Sequence, residues 1–190
     1  MATLYKEIDG VTTKLSESIS FDVEQLRKGA LEGATTEEAT AFWRNYESVT
    51  RTATAVQFKL GKAMERLSAM QKALSMSTAD PGTLDKELHQ LRQDLLLLDV
   101  SLNGNRSKQQ VGEKSSPTIG DRLFAVNRGI TLSTYGPTET HKTMLKIAQQ
   151  EISEIQLELA GKLSKMQELE KALSDAGAPW VEGGELPLMK

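Results

Sequence analysis

The spacing of apolar residues divides the chain into a short alternating start and a long helical remainder. Between residues 2 and 23, Leu4, Lys6 and Ile8 alternate with Thr3, Tyr5 and Glu7, then Asp9-Gly10 intervenes, and Val11, Thr13 and Leu15 resume the period of two. An Asp-Gly pair between alternating runs predicts a hairpin, because both central residues of its turn need positive φ. Ile19, Phe21 and Val23 continue the period as a further strand. Two or three strands bury too little to be stable alone, so residues 1–24 are expected to be the remnant of a larger sheet, leaning on the helices or on strands outside this chain. Residues 25–34, with Gly29 and Gly33, read as a linker, and residues 35–190 as a helical bundle with a C-terminal tail.

Four helices follow from the same kind of reading. Thr35-Thr36-Glu37-Glu38 offers a capping box, after which Phe42, Tyr46, Val49, Ala53, Val56, Leu60, Ala63, Leu67, Met70 and Leu74 recur at gaps of three and four. That is a heptad seam along one helix face. Asp80-Pro81 is expected to end this helix and open the second, with Asp80 as N-cap and Pro81 in the first helical position. Leu84, Leu88, Leu91, Leu95, Leu98 and Leu102 repeat the spacing, and Leu96, Leu97 and Val100 widen the stripe, which predicts burial on more than one side. Residues 103–117 read as an irregular loop. Thr118 caps a third helix carrying Ile119, Leu123, Val126 and Ile130, with Asp121 near the positive end of its dipole. After the turn Tyr135-Gly136-Pro137-Thr138, a fourth helix places Leu145, Ala148, Ile152, Ile155, Leu159, Lys162, Met166, Leu169 and Leu173 on one seam. Lys162 is its polar intruder, and Gly177 followed by Pro179 ends it.

The fold class is therefore mainly α: an up-down antiparallel bundle of two long and two short helices with a small N-terminal β-hairpin. Short connections would let the second helix descend halfway along the first before the third returns. This predicts four helices packed together in the upper half, a helical pair in the lower half, and loop 103–117 at the waist. It also sets the end of the fourth helix beside the start of the first, where Trp180 would join Phe42 and Trp43 as a structural anchor at the foot.

Composition narrows the chemistry. The net charge of −3 and a pI near 5.6 deny the chain a general electrostatic grip on nucleic acid. Cysteine is absent, removing disulfides, thiolate metal sites and cysteine nucleophiles. The run Leu95-Leu96-Leu97-Leu98 is far shorter than a bilayer span, so no membrane insertion is expected. His89 and His141 stand on different helices without a second ligand at helical spacing, so neither a metal site nor a catalytic residue is assigned, and no cofactor is expected. Gly112-Glu113-Lys114-Ser115 lacks the earlier glycine of a phosphate-binding loop. Arg106, Lys108 and Lys114 form a candidate anion or interaction patch in the loop, with Arg106 alternatively holding the loop by bonding helix carbonyls. Glu151, Glu154, Glu158, Glu168 and Glu170 read as a solvated helix face.

The segments Leu102-Asn103-Gly104-Asn105-Arg106-Ser107-Lys108, Pro117-Thr118-Ile119-Gly120-Asp121-Arg122-Leu123, Leu132-Ser133-Thr134-Tyr135-Gly136-Pro137-Thr138 and Gly177-Ala178-Pro179-Trp180 resemble the C-terminal region of bacterial sortilin-like, BNR-repeat β-propeller proteins, often labelled glycosyl hydrolases. The resemblance covers nearly the whole chain. It implies that residues 2–23 are the last strands of a β-sandwich-like module, that Met1 is a start imposed on a fragment, and that the parent is periplasmic, secreted or on the cell surface. No family active-site residue maps onto this chain. The expected role is a non-catalytic scaffold or interaction domain whose partner is its own propeller or another protein, with homo-oligomerisation through an exposed helix seam. The alternatives are an accessory domain contributing to a glycosyl hydrolase's substrate cleft, and a free-standing helical adaptor.

Overall fold

The computed structural model describes residues 1–24, 29, 32–77 and 81–181. Most of the expected linker, the Asp80 cap and the tail beyond 181 lie outside the described residues. The chain divides into two compact units, residues 1–32 and 33–190.

The first unit is the hairpin. β1 (Tyr5–Ile8) pairs antiparallel with β2 (Val11–Lys14), with Tyr5 opposite Lys14 and Ile8 opposite Val11. Asp9 and Gly10 have φ of 52° and 77°, the double left-handed turn that an Asp-Gly pair accommodates. Of the expected third strand, only Ile19 is paired, in an isolated bridge with Ala2, while Phe21 and Val23 are exposed and outside any strand.

The second unit is helical: α1 (Thr36–Met76), α2 (Leu84–Asn103), α3 (Arg106–Gln110), α4 (Ile119–Thr131) and α5 (Glu139–Asp175). The caps are local chemistry. Thr35 and Glu38, Thr118 and Asp121, and Thr138 and His141 each form a reciprocal capping box, satisfying backbone N–H groups that a helix start leaves open. At the far end of α5, Gly177 takes φ 73°, Ala178 N–H donates to the Leu173 carbonyl, and Gly177 N–H to that of Ser174. This paired arrangement is the left-handed glycine cap that stops the helix. The start of α2 differs from expectation: Pro81 sits in a turn closed by Leu84 N–H on the Pro81 carbonyl, and Thr83 occupies the N-cap position. The loop 103–117 is not wholly irregular. Asn105 accepts from the N–H groups of Ser107 and Lys108 and starts the single-turn α3.

Ion pairs and backbone bonds fix the direction of each helix. Ala34 N–H donates to the Tyr135 carbonyl at 2.8 Å, joining the entrances of α1 and α5, and Arg66 pairs with Glu170 late in both. The two long helices are therefore parallel. α2 runs against both: Arg92 reaches Gln71 and Ser68 of α1, while Glu87 and Asp94 meet Lys165 and Lys162 of α5 at 2.9 and 2.6 Å. Arg122 of α4 meets Glu151 at 3.4 Å, and Gly129 lies against His141, so α4 also runs against α5 and continues the direction of α2. α2 and α4 thus form successive parts of one descending leg, with the loop between them at the waist.

This overturns the expected layering of four helices above a pair. It also corrects the placement of Trp180. Because α5 ends beside the end of α1, Trp180 belongs to the opposite end of the bundle from Phe42 and Trp43, and it is 53% exposed. The neighbouring Val181 is buried in its place. Phe42, Trp43 and Tyr46 pack on the core at the other end, with Trp43 and Tyr46 edge to face at 5.8 Å.

The seams otherwise form the core as expected. Leu60, Leu67, Met70, Leu88, Leu95, Val126 and Leu145 are almost fully enclosed, and the buried side chains among the described residues are all apolar. Each such leucine contributes about 2 kcal/mol. α2 buries a single stripe: Leu97 and Val100 face solvent at 66% and 41% exposure, and Leu96 is half-buried. Lys162 is accommodated at the edge of the seam by its pairing with Asp94.

Candidate functional site

The candidate basic patch does not converge. Arg106 and Lys108 both lie on α3, whose residues are exposed, and Lys108 is engaged by Glu113 at 3.0 Å. Lys114 is exposed further along the connector. The carbonyl contact expected of Arg106 is made by Gln109, whose side-chain amide donates to the Asn103 carbonyl at 3.4 Å. Gly104 has φ 80°, and a Cβ there would lie 2.8 Å from the Gln109 amide and 2.9 Å from the Thr118 methyl group. Gln109 ties the loop back to the end of α2, Asn105 caps its single turn, and the start of α4 approaches through the Thr118 methyl group beside Gly104. The Asn-x-x side-chain turn was the available signal.

The histidines have separate jobs. His89 lies beside Gln93 on α2. His141 Nδ1 accepts from Thr138 N–H at 3.2 Å while His141 N–H donates to Thr138 Oγ1, and the ring rests against Gly129 of α4. An imidazole standing where a capping box usually has a carboxylate or amide is what the sequence did not advertise. No group of three His, Cys, Asp or Glu able to hold a metal ion is present among the described residues.

Two concave surfaces stand out among the described residues. A groove of 470 Å³ runs between α2 and α5, lined by Glu87, Asp94, Lys162, Lys165, Leu157 and Gly161 among others. Four of its charged side chains are matched in two pairs, Glu87 with Lys165 and Asp94 with Lys162, and Glu158 also lines it. Hydrogen bonds from Lys165, then Thr83, hold the Glu87 carboxyl below its usual range, and those from Lys162, then Gln90, do the same for Asp94. Lys165 is raised in turn by Glu87. These paired side chains, ionised at neutral pH, bridge α2 and α5. A shallower trough of 750 Å³ lies on the outward face of α1, lined by Glu47, Thr50, Arg51, Thr54, Ala55 and Phe58, with Tyr46 at one end.

No family model matches this chain, and neither a curated protein nor a solved structure matches it. Among the described residues, no helix is long and apolar enough to cross a membrane.

Proposed function

We propose that the chain is a non-catalytic helical scaffold and interaction domain, of the kind that forms the C-terminal tail of sortilin-like BNR-repeat β-propeller proteins, and that it packs against or presents the propeller. One observation carries this reading. Large apolar side chains stand outward on a bundle whose own core is already complete: Phe58 is 67%, Phe124 61% and Leu157 78% exposed, while the seams of α1, α2, α4 and α5 are closed on one another. An apolar side chain of this size held in water gains about 2 kcal/mol when a partner covers it. The stitched entrances of α1 and α5 and the glycine cap at Gly177 support a stiff spacer, since both ends are held by backbone hydrogen bonds.

The test is calorimetric titration of the 190-residue chain into a sortilin-like propeller, together with glycan and peptide hydrolysis by that propeller with and without the chain. The expected result is binding at micromolar concentration or tighter, with unchanged hydrolysis. Absence of binding, or hydrolysis that requires the chain, overturns it.

A further inference from the structure

The outward face of α1 carries a second periodic stripe, distinct from the core seam. Arg44, Glu47, Arg51, Thr54, Phe58 and Glu65 recur at helical spacing and all are exposed, with Ala55 and Lys62 beside them. The stripe is complementary to itself when read backwards. About a two-fold axis between Thr54 and Ala55, Arg44 stands opposite Glu65, Glu47 opposite Lys62, Arg51 opposite Phe58, and Thr54 opposite Ala55. Two oppositely charged pairs and one cation–aromatic pair are thus each made twice, and the smallest side chains fall at the centre, where two helices must come closest.

We propose that this face binds a second copy of the chain, with the two α1 helices antiparallel and crossing at Thr54 and Ala55. The proposal rests on the reading of the chain as an interaction domain and names the occupant of one of its surfaces. The geometry supplies a receptor for the central aromatic. Phe58 projects at 67% exposure from one end of the trough, and the two-fold axis sets the partner's Phe58 opposite Arg51, within the stretch from Tyr46 to Ala55 that forms the rest of its lining. An isologous contact uses one patch twice, so one projecting ring and one trough per copy complete it. Lys62 already lies 6.0 Å from the Phe58 ring centroid and 2.7 Å from Glu65. The Lys62–Glu65 pair is exposed, and exposed ion pairs are weak. In the groove between α2 and α5, by contrast, Glu87 and Asp94 are bridged to Lys165 and Lys162 across two helices of the same chain.

Sedimentation velocity of the 190-residue chain over a wide concentration range is the test, with far-UV circular dichroism as a fold control. A concentration-dependent dimer is expected. Phe58→Glu abolishes it, and Glu47→Lys weakens it by about ten-fold. The doubly reversed Glu47→Lys/Lys62→Glu restores it, because the opposed charges are again of opposite sign. A chain that is monomeric throughout, or a dimer untouched by Phe58→Glu, overturns the proposal, as does a double reversal no better than Glu47→Lys alone. Propeller titration of Phe58→Glu separates the two readings. Retained propeller binding in a monomeric Phe58→Glu supports distinct surfaces, whereas loss of propeller binding in Phe58→Glu, with a wild-type chain that never dimerises, assigns the trough to the propeller and overturns the second-copy proposal alone.

Discussion

Replacing Gly129 by alanine tests the packing of α4 on the start of α5 more sharply than any large truncation. In an open helix interior, Gly→Ala stabilises by about 1 kcal/mol. At Gly129 the added Cβ would lie 2.0 Å from His141 Nε2 and 2.1 Å from Cε1, well inside any real contact. The imidazole must move by roughly 1 Å or more to restore van der Waals separation. Moving it removes the Nδ1 acceptor from Thr138 N–H, a cap worth about 1 kcal/mol, and overpacking adds about 1–3 kcal/mol. Set against the propensity gain, the net effect is a destabilisation of about 2 kcal/mol. Gly161, within α5, has nothing within 4 Å of its ideal Cβ, so Gly161→Ala should stabilise by about 1 kcal/mol. Urea denaturation of both variants reads the difference in sign. In a His141→Ala background the clash is absent, and Gly129→Ala should turn neutral or stabilising. Equal stabilisation by both single substitutions would refute the docking of α4 against His141.

Three further outcomes follow from other parts of the bundle. Leu88→Ala should lower stability by about 2–5 kcal/mol, while Leu97→Ala on the same helix stays within about 0.5 kcal/mol, because the first is fully enclosed and the second 66% exposed. Urea midpoints compare them. Gly33→Ala should destabilise strongly, since its Cβ would meet the Tyr135 carbonyl oxygen at 2.8 Å and the Tyr135 Cα at 3.0 Å, and backbone cannot step aside as a side chain can. The loss appears as a lower melting temperature. Glu87 and Asp94 have lowered carboxyl affinities for protons in the folded chain, so the stability they contribute is present above their unfolded values. It is lost as pH falls below about 4.5 and through the folded values. Glu87→Gln/Asp94→Asn should flatten the acid limb of a melting-temperature profile and also soften its alkaline limb, because Lys165 loses the carboxylate that raises its proton affinity.

Very little of the surface chemistry was visible in advance. Lys162 read as an intruder on an apolar seam because Asp94 is distant in sequence, and only the antiparallel packing of α2 on α5 joins them. Arg66 and Glu170 are likewise far apart in the chain, yet their pairing is what reveals that the long helices are parallel. No role was assigned to His141 from the sequence because its capping depends on ring orientation, and its contact with Gly129 on the fold. Arg106, Lys108 and Lys114 looked like a patch through closeness in sequence, but α3 and the Lys108–Glu113 pair distribute them otherwise.

The amino-acid sequence by itself determined what acts over a few residues. The Asp9-Gly10 turn, the boxes at Thr35 and Thr118, the glycine cap at Gly177 and the apolar seams all express backbone sterics, local hydrogen bonding and helical period. A heptad seam, however, reads equally well from either end, so it says which face is buried and leaves the direction of its partner open. Only tertiary contacts decided that α1 and α5 run parallel, that α4 extends the leg begun by α2, and that Trp180 and Trp43 occupy opposite ends. Those outcomes depend on how distant surfaces fit and on charges meeting across helices, and residue spacing along one helix carries neither.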